Sequence, residues 1–273
     1  MRWQRRGRSA NLEDRRGLGG GAMKLGAGGI IVLLVISLLT GRNLLDDTGA
    51  ITGGTGSGAL TPADSAAEEE MVEFVSFVLD DAQGTWRRIF AQSGAQYRDA
   101  RLVLFREAVQ SECGVGQSGM GPFYCPLDEN VYLDLVFFEE LHRSFGAPGD
   151  FAQAYVIAHE IGHHVQHQLG IADRVRAAQR SDPRRANELS VMMELQADCY
   201  AGVWGHETAR RDLLERGDVE EALGAASAIG DDRIQAETQG QVRPETFTHG
   251  TAGQRVAAFR RGLETGDPGQ CGE

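Results

Sequence analysis

The alternation of apolar and polar positions divides the chain into an Arg-rich head, one dense apolar run and a long mixed body. The apolar run lies in an uncharged stretch from Leu25 to Gly41 and is densest over Ile30–Leu39. As a helix this stretch spans about 25 Å, a little short of the ~30 Å hydrocarbon core, with Lys24 and Arg42 placed to snorkel to the interfaces. A Gly/Ser/Thr-rich tract follows, too polar to pack. Helical periodicity begins beyond it: Met71, Phe74, Val75 and Val78 recur behind the acidic turn Glu68–Glu70, with Thr61 or Asp64 as the cap. A second, shorter helix is expected over Thr85–Ser93. Strands are expected at Arg101–Phe105, Phe123–Cys125 and Val131–Leu135. From there the pattern is helical, over Phe151–Leu169, Asn187–Ala209, Val219–Ala226 and Thr251–Leu263. This order predicts an α+β fold: a small N-terminal sheet and a helical half, preceded by one transmembrane helix.

Charge sharpens the division. Residues 1–42 carry eight Lys or Arg against two acids, a net +6, which leaves 19 basic and 37 acidic residues, a net -18, for the rest of the 273-residue chain. An acidic body is repelled by phosphate backbones, which argues against a nucleic-acid partner. A basic flank before an apolar run keeps that end in the cytoplasm. The expected organisation is a basic cytoplasmic segment at 1–24, a transmembrane helix at 25–41, a flexible linker at 42–62 and a folded domain at 63–273. The protein would then be a single-pass cell-membrane protein with an extracytoplasmic body. A cleaved signal peptide is the competing reading, disfavoured by the long head and by the lack of a small-x-small cleavage site after the run.

An even number of cysteines, Cys113, Cys125, Cys199 and Cys271, suits an oxidising compartment. Cys113 and Cys125 bracket the Gly-rich loop Gly114–Gly121, so a local disulfide is the first choice, with Cys199–Cys271 tying the tail to a helix. Three pairings are possible, and spacing does not choose among them.

The chemistry sits in His159-Glu160-Ile161-Gly162-His163, an H-E-x-x-H sequence. Four residues apart on a helix, the two histidines project from one face, where a single zinc can accept both. Glu160 stands beside the first of them, able to reach a water without ligating the metal. Downstream, Glu194 and Asp198 are again four apart on a helix: Glu194 is the candidate third ligand, and Asp198 can take the second ring proton of a histidine. A longer H-E-x-x-H-x-x-G-x-x-H pattern is excluded, because positions 166 and 169 are Gln and Leu. His167 is rotated off the shared face, and His164 is expected to be a polar helix residue.

These and other segments carry a resemblance to the bacterial putative neutral zinc metallopeptidases, a family of single-span membrane proteins. The matching pieces are Glu13-Asp14-Arg15-Arg16-Gly17, the Gly-rich segment before the span, Gly121–Pro126, Val131–Asp134, His159–His164, Glu194–Gly202 and Thr248-His249-Gly250, in order along nearly the whole chain. The resemblance implies a gluzincin-like site with one zinc per chain.

With three protein ligands the zinc keeps a position open for water, and Glu160 is the expected general base for hydrolysis of a peptide bond. His249, in the loop before the last helix, is the candidate oxyanion donor, unless it caps that helix or faces solvent; Tyr155 and Tyr200 are weaker candidates, read first as core aromatics with a satisfied hydroxyl. Strand Val131–Leu135 is the candidate edge for an extended peptide, with Tyr132 and Asp134 toward the cleft or, equally, at internal positions of the sheet. The expected partners are a peptide or protein substrate and, through the N-terminal helix, the membrane. The rival is a non-catalytic, zinc-stabilised membrane scaffold, which would have no use for Glu160.

Overall fold

The computed structural model describes residues 1–17, 62–143 and 146–272. A four-stranded sheet has the order β1 (Leu12–Asp14), β2 (Arg101–Phe105), β6 (Asn130–Asp134), β5 (Phe123–Cys125). The first three strands are parallel and β5 runs antiparallel to β6. Between β2 and β5 a separate hairpin forms from β3 (Ala108–Ser111) and β4 (Gly114–Gln117).

Eight α-helices are present among the described residues. They are α1 (Pro62–Gln92), α2 (Val136–Arg143), α3 (Asp150–Gln168), α4 (Ile171–Ser181), α5 (Ala186–Arg210), α6 (Asp218–Ala228), α7 (Asp231–Gln239) and α8 (Ala252–Thr265). The two helices expected between residues 61 and 93 are one, α1. Its face of Val72, Val75, Val78, Leu79, Ala82 and Trp86 is buried throughout, so nothing in the packing breaks it.

The period-two alternation of the strands sorts their side chains between two cores. Leu102, Leu104, Val131 and Leu133 join α1, α3, α5 and α8 in the main core. Val103, Phe105 and Tyr132 face the other way and close a small second core with Val109 of the hairpin and Cys125. The disulfides Cys113–Cys125 and Cys199–Cys271 are both formed: the first staples the hairpin turn to β5, the second ties the C-terminal turn to α5.

The membrane expectation is corrected. No helix among the described residues is long and apolar enough to cross a bilayer, and the expected span at 25–41, like most of the linker, lies outside them. The head does not stand apart from the body. Strand β1 pairs with β2, Trp3 packs edge-on against Phe74 at 5.4 Å, and Arg2 N–H donates to Leu213 C=O at 2.8 Å. Arginines read as a cytoplasmic flank instead neutralise the acidic start of α1: Arg8 holds Glu69, Arg5 holds Glu70, and Arg16 holds Glu68 and Asp14. A head on one side of a membrane and a body on the other is incompatible with this packing. Among the described residues the architecture is α+β with no membrane-crossing helix, and the single-pass localisation is set aside.

Candidate metal centre

The site forms where α3 crosses α5. Gly162 is what lets the two helices meet: a Cβ there would stand 2.9 Å from the Ala197 carbonyl oxygen. The contact brings Glu194 and Asp198, one turn apart on α5, against His159 and His163, one turn apart on α3. One ligand atom from each of His159, His163 and Glu194 lies within 4.8 Å of the others. The Glu194 carboxylate faces both rings, with oxygens 3.1 Å from Nε2 of His159 and 3.4 Å from Nε2 of His163.

The opposite edge of each ring is held. His159 Nδ1 faces Asp198 Oδ1 at 2.8 Å. Asp198 is fully buried and is itself held by Arg255 of α8 and by the Tyr155 hydroxyl. His163 Nδ1 donates to Gln166 Oε1 at 2.9 Å. Both Nε2 atoms therefore point inward, as shared ligation of one ion requires.

Glu160 is buried between these groups and the cavity, and its Oε2 has no hydrogen-bond partner. Burial raises its pKa, partly opposed by His159 and His163. Burial works against a charged Glu194 as well, but the facing imidazoles outweigh it and hold that carboxyl well below its usual range. Burial alone would lower His159; Asp198, then Glu194, reverse this and lift it to about 10. Counted with both imidazoles neutral, as metal ligation requires, the three carboxylates Glu160, Glu194 and Asp198 outnumber the one guanidinium, Arg255, by two charges, and the unpartnered Glu160 oxygen and inward nitrogens fit a divalent cation.

The cluster opens into a cavity of about 630 Å³, also lined by Phe123 and Tyr124 of β5, Phe137 of α2 and His249. His249 lies on the rim, half exposed, with Nδ1 3.2 Å from Asp231 Oδ1. Asp231 accepts the backbone N–H groups of Thr248, His249 and Gly250, which sets this loop.

Two expectations are corrected, the place of Tyr132 and the strand that carries it. Tyr132 is not in the cleft: it is buried in the second core, stacked on Phe123 at 4.8 Å, with its hydroxyl donating to Asp128. The strand containing it is internal, between β2 and β5, and the edge beside the cavity is β5. His164, a polar residue of the helix as expected, is fully buried, with Nε2 2.7 Å from the Arg98 carbonyl oxygen and Nδ1 2.9 Å from the Tyr124 hydroxyl. It pins β5 to α3. Tyr200 takes the core-aromatic role expected of it, buried and packed edge-on against Trp86.

Arg255 and Gln166 were not anticipated. Arg255 had a signal: it stands on the apolar stripe it shares with Ala258, Phe259 and Gly262, where an unpaired charge cannot stay.

Two imidazoles and one carboxylate leave a tetrahedral ion one free position, the arrangement of zinc sites that do chemistry rather than brace a fold. The chain belongs to the putative neutral zinc metallopeptidase family, whose model matches residues 1–273, and this membership implies zinc. It is 49% identical over 280 aligned residues to the "Uncharacterized protein YpfJ" of Escherichia coli K12, covering 99% of this chain and 98% of that one. It is 45% identical over 186 residues to the "Uncharacterized protein Rv2575" of Mycobacterium tuberculosis H37Rv, covering 64% of this chain and 62% of that one. No solved structure matches it.

Proposed function

We propose that the protein is a zinc-dependent peptidase in which His159, His163 and Glu194 hold one zinc and Glu160 is the general base. The observation that carries this reading is Glu160 itself. A buried carboxylate with an unpartnered oxygen costs stability, and a purely structural metal site has no need of it.

Zinc, when bound, supplies Lewis-acid polarisation of a water and of the scissile carbonyl. Glu160 takes the proton of the attacking water and returns it to the leaving amine; burial raises its basicity toward what that transfer needs. Asp198, backed by Arg255, keeps His159 turned with Nε2 inward. His249, steadied by Asp231, stands at the cavity rim as a donor for the developing oxyanion. An extended substrate pairs its backbone with the edge of β5, which Tyr124 and His164 hold against the helix bearing both histidines.

The test uses the full chain, because residues 1–16 belong to the fold. Zinc content and cleavage of a mixed peptide library are measured for wild type and Glu160→Gln, with and without chelator. One zinc in both proteins and cleavage only by the wild type is the expected result. One zinc in both with cleavage by neither favours a scaffold; absence of zinc in the wild type ends the proposal.

A further inference from the structure

The two histidines of the cluster are held by different chemistry. His159 Nδ1 leans on a charged network, whereas no carboxylate faces the Nδ1 of His163, which donates to the amide oxygen of Gln166. Gln166 is fully buried, and its amide nitrogen donates to the Met193 carbonyl at 2.7 Å and to Gln196 Oε1 at 3.0 Å. Gln196 donates onward to the Cys271 carbonyl at 3.2 Å. Cys271 closes the turn Pro268–Cys271, which its disulfide to Cys199 fixes on α5.

Each side-chain amide in this line accepts through oxygen and donates through nitrogen, so the line has one polarity from Cys271 to His163. Reversing either glutamine would set donor against donor or acceptor against acceptor, inside a site where an unmade hydrogen bond is expensive. The ring of His163 can therefore offer its Nδ1–H in one direction only, which leaves Nε2 for the cluster.

We infer that Gln166 and Gln196 are positioning residues for the metal, a relay by which the disulfide-tied C-terminal turn orients the ring of His163. The inference rests on the zinc reading above. It makes a turn remote in sequence from the H-E-x-x-H helix part of the metal centre.

The experiment uses the full chain and zinc alone as the probe. Zinc affinity is measured by competition with a chromogenic chelator for wild type, Gln166→Leu, Gln196→Leu and the double variant, with thermal unfolding as the check on folding. Exchange of the His163 Nδ1 proton is followed by NMR in the zinc-loaded proteins. Gln166→Leu is expected to weaken zinc roughly 10–100-fold, the usual cost of losing a ligand's hydrogen-bond partner. Gln196→Leu should weaken it less, the double variant should match Gln166→Leu because the links are in series, and proton exchange should quicken in all three. A folded Gln166→Leu that binds zinc as the wild type does, single effects that multiply, or unchanged proton exchange would overturn the relay. Should Gln166→Leu fail to fold, Gln196→Leu alone decides by the same two readouts. A wild type without zinc affinity would instead remove the metal reading itself.

Discussion

Arg255 grips Asp198 through both carboxylate oxygens, Nε to Oδ2 at 2.8 Å and Nη2 to Oδ1 at 2.9 Å, with neither side chain reached by solvent to any extent. The pair joins the last helix to the helix that carries Glu194. Burial opposes both charges, and each is restored by the other. Removing one partner of a buried pair strands the other. Arg255→Met should therefore lose about 3–5 kcal/mol of stability, read from urea unfolding. Asp198→Asn added to it should recover part of that loss, because the stranded charge goes too.

The oxyanion role proposed for His249 predicts a different pattern. His249→Ala removes a half-exposed side chain at the rim, so folding and zinc content should hold. The value of kcat/KM on a cleaved peptide should fall about 10²–10³-fold, mostly through kcat. A loss confined to KM would assign His249 to substrate binding instead.

Docking of the head through its ion pairs is testable by pH. The hydrogen bonds of Arg16, against an opposing effect of burial, lower the Asp14 carboxyl to about 2, below the ~3.9 of an unfolded aspartate. The stability this contributes is fully present above pH ~4 and disappears as pH falls through 2. Asp14→Asn should thus be about 1–2 kcal/mol less stable than wild type at pH 7, with the gap closing steadily below pH 4 in urea titrations.

Helices α5 and α8 touch backbone to backbone. A Cβ at Gly262 would stand 1.9 Å from the Cys199 carbonyl oxygen, and one at Gly202 would stand 2.0 Å from that of Phe259. No rotamer relieves a backbone clash, so Gly262→Ala should cost about 3 kcal/mol or more. Because the shift would also move Arg255 off Asp198, zinc affinity should fall with stability.

Local periodicity was enough to anticipate the cluster: His159 with His163, and Glu194 with Asp198, are i,i+4 pairs, each on one helix, and a helix face is a property of neighbouring residues. What escaped was set by partners far along the chain. Alternation in Val131–Leu135 defines two faces but not which one meets a cleft, so Tyr132 was put on the wrong one. Leu12–Asp14 is too short and too charged to look like a strand until β2 is beside it. The arginines of the head look like a membrane flank until Glu68, Glu69 and Glu70 are seen to face them. Gln166 was noticed only for what it was not, the glycine of another motif.

The pairing of β1 with β2 has a kinetic consequence. Leu12 meets Leu102 and Asp14 meets Leu104, in parallel, so the contact must wait for a long loop to close. During synthesis the head emerges long before its partner strand exists. Until the two meet, the outer edge of β2 offers unpaired amides and carbonyls to any passing chain, a template for aggregation. The three residues of β1 act as the protein's own chaperone for that edge, and refolding yield should depend on them more than their small buried area suggests.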